Sequence, residues 1–398
     1  MKRVLFFVRK FPVLSETFVL DQILALERTP DLQVRVVSLT RPEKPVVHEQ
    51  VRQSPACREP IVLLETGMDA REKRTAQVGY ILRHPVWFLS NLADPQVRDR
   101  YIPLLCSRIA TPLEADEIIA HFGDVGVLAD KLRHAGRLKG HLNVFFAGYD
   151  MSRREVWERY RDEYRRLAFS GCRLLPVSEF LKRRLLDLGC PPGSVRVHRL
   201  GVDLERFVFR PQRPMRRPPV LFSAARLVEK KGIDTAVRAV GILSERGMNV
   251  RYRVAGIGPL LPELLALRDR LDLQEHVEFL GAVPTEQVAE ELAAADVSML
   301  PSQTASDGDM EGIPVSLVEA MAAGVPVVST FHSGIPELIE NGVSGFLVSE
   351  RDHVALADCL QRCLGMTTEQ LEPIRRAARK RVETEFNAEV WNSKLPGN

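Results

Sequence analysis

Short apolar runs recur along the chain with helix-like stretches between them. Val4 to Val8, Val34 to Leu39, Glu117 to His121, Leu142 to Phe146, Arg173 to Val177 and Val195 to His198 read as strands in the first half, and Val220 to Ala225 and Tyr252 to Ala255 in the second. After the first run, Phe18, Leu20, Ile23, Leu24 and Leu26 follow the helical period. Such alternation predicts an α/β protein built on doubly wound parallel sheets. Residues 40–112 lose the alternation and become helical and basic, and residues 371–398 are again helical. A chain of 398 residues exceeds one ordinary core, so two Rossmann-like units are expected. Arg210 to Pro219, with four prolines and four arginines in ten residues, reads as the linker between a unit of residues 1–209 and one of 220–375.

The composition, 45% hydrophobic and 27% charged, is that of an ordinary soluble protein. No apolar run approaches the ~18 residues of a membrane span, and the opening MKRVLFFVRKFP reads as a first strand, not a signal peptide. Six cysteines lie scattered without a CxxC pair, which indicates neither a zinc site nor a disulfide framework and fits a cytoplasmic protein. Charge is uneven: residues 1–210 carry 35 basic against 26 acidic residues, and the remainder 20 against 26. A basic first half suits an anionic lipid surface or an anionic acceptor; no nucleic-acid module is visible. Tyr80, Trp87 and Phe88, near Arg83 and His84, fit two readings, a segment inserting at a membrane surface or a helix packed on the sheet.

The candidate chemistry centres on Leu300 to Ser329. Pro314 fits the first turn of a helix and Gly324 the position past its end, which predicts a helix over 313–323. Its apolar residues leave no polar face, so it should be buried, with Glu319 its only charge. Glu311 lies before it, seven residues intervening. The amide-rich helix start at Gly312, Ile313, Pro314 and Val315 is a seat for a diphosphate. The two carboxylates could then take sugar hydroxyls at Glu311 and ribose hydroxyls at Glu319; a solvated loop glutamate beside a structural one fits the spacing equally well. Arg226 and Lys231, a planar fork and a point charge just before a helix, form a sensible diphosphate pair. Ser15, Glu16 and Thr17 occupy the loop after the first strand, the phosphate-facing place of such a sheet, and are donor-binding candidates; Ser15 as helix cap is the plainer reading. His121 and Asp150 follow strand ends, where ligands of such sheets collect. Gly256 and Gly258 lack the rest of a dinucleotide fingerprint.

EGIPVSLVEAMAAGVPVVST, from Glu311, and GIPELIENGVSGFLV, from Gly334, resemble the signature of the retaining glycosyltransferases of family 4, which have the GT-B fold of two Rossmann-like domains facing a cleft. FPVLSETFVLDQI, HFG at His121, GYD at Gly148, PVSEFLKRRL at Pro176, GVDLERF at Gly201 and ARLVEKKG at Ala225 extend the match along most of the chain. SETF and PSQTASDGDMEG look most like the bacterial exopolysaccharide branch, the colanic-acid and amylovoran type. The resemblance implies transfer, with retention, from a nucleoside diphosphate sugar of UDP or GDP type to a lipid-linked or saccharide acceptor, without a cofactor. It implies that Arg226 and Lys231 bind the donor phosphates and that Glu311 orients the sugar. Gly256, Gly258 and Leu280 approach the base, and His121, on the acceptor side, and Asp150, among the catalytic positions, border the cleft. The terminal helix, residues 376–398, crosses back to the first domain with Trp391 as an anchor. Asp307-Gly308-Asp309 matches the Asp-x-Asp of metal-dependent enzymes but lies in a loop of another fold, and no catalytic metal is expected. One departure bears on catalysis: Ala147 stands where relatives carry histidine in Phe-His-Gly-Tyr-Asp. Another group replaces that imidazole, or catalysis is impaired, or the alanine is a substitution. A non-transferring nucleotide-sugar binding protein and, more remotely, a nucleotide-sugar 2-epimerase are the rival readings.

Overall fold

The computed structural model describes the chain except for residues 14–15, 43–48, 66, 211–214 and 396–398. Ser15 and part of the expected linker therefore lie outside the described residues. The first unit contains β1 (Lys2–Lys10), β2 (Leu32–Thr40), β3 (Ile61–Val62), β4 (Leu113–His121), β5 (Leu138–Phe146) and β6 (Arg173–Pro176). The second contains β7 (Val220–Ala224), β8 (Arg251–Ala255), β9 (Val277–Gly281), β10 (Val297–Met299), β11 (Val327–Thr330) and β12 (Phe346–Val348). Their orders, β3-β2-β1-β4-β5-β6 and β12-β11-β10-β7-β8-β9, are the same doubly wound topology used twice, and every ladder is parallel. In each sheet the strand order reverses at one place, between β1 and β4 and between β7 and β10. A crevice opens there beyond the carboxyl ends.

Buried runs explain the central strands. Val4 to Val8 of β1 is buried throughout, as are Ile118 to His121 of β4 and Leu142 to Phe146 of β5. Covered on both faces, these strands need no alternation. The cores change over abruptly: Leu200 belongs to the first and Val202 to the second. Val202 is bridged to Asn387, with Val202 N donating to Phe386 O at 2.9 Å and Ala388 N to Val202 O at 3.1 Å. The chain thus enters and leaves the second unit side by side. Helix Thr368–Glu385 packs on the helix Val315–Ala322 of the second unit, and the return begins only with the short helix Ala388–Asn392, which lies on the helix Thr17–Glu27. There Trp391 meets His198 edge-on, 5.1 Å between ring centres.

Several expectations are corrected. Val195 to His198 forms no strand: it makes one bridge, to Leu174, and bonds from Arg196 N to Leu174 O and His198 N to Pro176 O, each 3.0 Å. It is an extended segment alongside the edge strand. β3, only two residues long, went unread within the basic stretch. Pro314 is the cap of its helix, with extended backbone, not its first residue. Tyr80 is buried, and Trp87 and Phe88 pack on the first core, so these three aromatics face inward.

Candidate active site

The carboxyl ends of the two sheets meet. The loop 307–312 of the second unit rests on residues 147–154 of the first: Met310 N donates to Ser152 Oγ at 2.9 Å, Arg154 N to Asp307 O at 2.9 Å, and Arg153 Nε to Asp307 Oδ2 at 2.8 Å. Gly312 permits this approach, since a Cβ there would lie 2.6 Å from the carbonyl oxygen of Ala147. Ala147 and Glu311, far apart in sequence, are thereby brought together on two facing loops.

Glu311 is 6% exposed. Lys231 Nζ lies 3.0 Å from Oε2 and Lys230 Nζ 3.6 Å from Oε1. Burial alone would raise its pKa, but the two ammonium groups overcome this and hold it at about 2, so the group is a carboxylate at every ordinary pH. Its backbone is fixed as well. Glu311 N donates to His332 Nε2 at 3.1 Å, so the His332 proton sits on Nδ1, 2.7 Å from Glu350 Oε1, and Ser333 Oγ donates to Glu311 O at 2.6 Å. Lys230, His332 and Glu350 were missed in the sequence. Adjacent lysines on a short turn, Glu229–Lys231, give no sign that both point inward; the only signal was that both precede a helix at a strand end.

Lys230 also binds Asp309 Oδ1 at 3.0 Å. Asp307 and Asp309 are thus engaged by Arg153 and Lys230, and among the described residues no group of three metal-ligating side chains forms. Arg226 is exposed, and no carboxylate among the described residues forms an ion pair with it. Glu16, half-buried at the start of the helix Thr17–Glu27, lies in its field; burial pushes this carboxyl up to about 7 against the pull of Arg226 and Arg9. Thr17 is the first residue of that helix.

Glu319 projects from the helix Val315–Ala322 toward the first unit. It is 8% exposed, and its pKa is raised to about 7 by burial and by Asp21, with Arg206 opposing. Among the described residues none donates a hydrogen bond to its side-chain carboxyl, while its backbone carbonyl accepts from Ala323 N at 3.0 Å. At the helix start, Leu317 N bonds back to Pro314 O at 3.1 Å, while Val315 and Ser316 stay partly exposed. Ile313, by contrast, is buried in the second core. Gly256 and Gly258 brace the segment carrying Arg226. A Cβ on Gly256, whose φ is +144°, would fall 1.8 Å from Ala225 O, and Leu227 N bonds to Ile257 O at 2.9 Å. Leu280 lies one residue before the end of β9, partly buried.

The first unit's two strand-end residues turn inward. His121 is 1% exposed, stacked between Phe6 and Phe145 with ring centres 6.1 and 4.7 Å away, and burial together with His198 pushes its pKa down to about 3. Asp150 is fully buried and accepts from the amides of Gly123 at 2.8 Å, Ala147 at 3.2 Å and Gly148 at 3.0 Å. It ties the β4 and β5 loops together and does not point into the cleft.

Two sheets of identical order with charged loops facing across their carboxyl ends define the architecture of a GT-B glycosyltransferase. A solved Anabaena protein, Alr3699/HepE in complex with UDP and glucose, superposes over 99% of this chain and 98% of its own, with a TM-score of 0.72 at 18% identity. Residues 206–381 match the family glycosyl transferases group 1. The putative colanic acid biosynthesis glycosyltransferase WcaL of Escherichia coli K12 is 42% identical, covering 98% of this chain and 97% of its own. The amylovoran biosynthesis glycosyltransferase AmsK of Erwinia amylovora is 37% identical over 97% and 96%. The chain belongs to the group 1 glycosyl transferases.

Proposed function

We propose that this glycosyltransferase works in exopolysaccharide biosynthesis, moving a sugar with retention from a UDP- or GDP-sugar to a lipid-linked oligosaccharide or similar saccharide acceptor. The pathway is supported by the printed roles of the two 37–42% identical relatives. Glu311 carries the reading: it is a permanently charged carboxylate fixed between two lysines where the sheet ends meet. In this reading Arg226, Lys231 and the exposed helix amides at Val315 and Ser316 hold the donor diphosphate. Glu319, whose carboxyl has no donor among the described residues, accepts from the ribose hydroxyls, and Gly256, Gly258 and Leu280 border the base.

As the bond between the anomeric carbon and the phosphate oxygen breaks, the acceptor oxygen bonds to the same face of that carbon and its proton passes to the leaving phosphate. Positive charge develops at the anomeric carbon, and Glu311 stabilises it. Negative charge develops on the diphosphate, and the cations stabilise that, an electrostatic contribution of several kcal/mol. A carboxyl held at about 2 has no proton to give, which excludes Glu311 as general acid. No metal enters this scheme, since Asp307 and Asp309 are bonded to the protein's own cations. The protein works in the cytoplasm, touching the anionic inner face of the membrane through its basic first unit.

The test is a panel of UDP- and GDP-sugars with membrane lipid extract, following product and its anomeric configuration by NMR, with and without chelator. Product of retained configuration, insensitive to chelator, is expected. Inverted product, a requirement for divalent metal, or epimerised free sugar without acceptor each overturns a named part of the reading.

A further inference from the structure

The helix Ala70–Arg83 has two unlike sides. Tyr80 anchors one: it is buried, its ring 4.5 Å from His84 and 5.8 Å from Trp87, with the Arg137 guanidinium 5.2 Å above it. On the opposite side, at ~3.6 residues per turn, Arg71, Arg74, Val78 and Leu82 fall in one line. Val78 is 38% and Leu82 73% exposed. The helix ends at His84 and a short second helix, Pro85–Ser90, begins. It repeats the division, with Trp87 and Phe88 on the first core while Val86 and Leu89 stand 74% and 64% exposed.

We propose that this strip, Val78, Leu82, Val86 and Leu89, is where the protein lies on an anionic lipid bilayer; the proposal rests on the membrane contact read above and gives it a location. Charge selects the occupant. Arg71 and Arg74 lie on the strip's own line and Lys73 and Arg83 are exposed elsewhere on the same helix, against the exposed Asp69 and Glu72, whose carboxylates form the capping box at its start. An apolar line that begins with two arginines, on a helix carrying more cations than carboxylates, suits an interface of acyl chains and anionic headgroups. No described helix is long and apolar enough to cross a membrane, so the contact is a surface one. Packing connects the patch to the end of β4: helix 70–83 packs on helix Tyr101–Ser107, which packs on helix Gly123–His134.

Flotation with phosphatidylglycerol-containing and pure phosphatidylcholine vesicles tests this. The wild-type chain should float with the former only, less so as salt rises. A Leu82→Ser/Val86→Ser/Leu89→Ser variant should lose on the order of tenfold or more in vesicle affinity. Arg71→Gln/Arg74→Gln/Arg83→Gln should bind more weakly and with less salt dependence. Calorimetry with UDP and GDP, unchanged in both variants, shows that the fold and donor site are intact. Variants that float like wild type overturn the location but leave membrane contact standing. A wild-type chain that never floats overturns both, while transfer activity stands or falls separately. A serine variant that turns a dimer into a monomer in sedimentation without changing flotation assigns the strip to a second copy and overturns the proposal.

Discussion

Asp150 and Glu311 are both buried carboxyl groups at the carboxyl edge of a doubly wound sheet, on loops that touch, yet their partners differ in kind. Asp150 is met by three neutral amides, which cannot offset its burial, and its pKa is pushed up to about 7. Glu311 is met by two ammonium groups, which more than offset it, and its pKa falls to about 2. Burial alone therefore says nothing about which edge does chemistry. In the proposed reading the fixed charge makes the second sheet the reactive side, and the amide clasp makes the first the shaped wall that faces it.

The largest effect is expected where that charge is removed. Glu311→Gln should lower transfer by on the order of 10²–10³, with nucleoside diphosphate affinity nearly unchanged or tighter, because Lys231 is released. Denaturant titration should also record about 3–5 kcal/mol of lost stability, the usual consequence of leaving a buried partner unpaired. Next comes an attempt to make the first edge reactive. Ala147→His, placing an imidazole on the loop that abuts Gly312, should raise turnover by about 10² with little change in nucleotide affinity. Steady-state kinetics and calorimetry read the two separately, and unchanged or lower turnover would mean that this chain has its own arrangement there.

Glu319→Ala should cost roughly 1.5–3 kcal/mol of nucleotide affinity, read with the bare nucleoside diphosphate. Equal losses in the Glu311 and Glu319 variants would erase the distinction between sugar end and ribose end. The smallest effect separates the two carboxyls by pH. Glu311 is depressed from 4.5 to about 2, so its stabilisation is complete above the upper value and disappears as pH falls through the lower. Asp150 is raised from 3.8 to about 7, so the folded state holds its proton longer and stability declines as pH rises across that window. In melting profiles Asp150→Asn should flatten the decline toward pH 7, with Glu16 and Glu319, both also raised to about 7, keeping part of it. Glu311→Gln should remove the rise in the acid range only. The same change of slope in both variants would refute the contrast.

The central strands were legible because strands covered on both faces are almost wholly apolar, as Val4 to Val8 is throughout and Leu142 to Phe146 is save for Asn143. The signature helix and its one glutamate, Glu319, were legible for a related reason: a single charge in an otherwise apolar helix is conspicuous. Edges were not. Val195 to His198 has strand composition but a partner on one side only, and β3 is too short for any period to appear.

Direction and partnership lay with the tertiary structure. Whether Tyr80 or Leu82 faces outward depends on which side meets the rest of the first unit. Local sequence cannot say this when both sides carry apolar residues. His121 and Asp150 were correctly placed at strand ends, but their side chains turn into the core, since a strand end offers both directions at equal local cost. Lys230 joined Glu311 and Asp309, and His332 joined Glu311 and Glu350, across 81, 79, 21 and 18 positions of sequence. Sequence alone determined which groups must avoid or seek water. Which charge each buried group would meet was decided only by the tertiary structure, because electrostatic pairing depends on distance in space, and distance along the chain does not fix it.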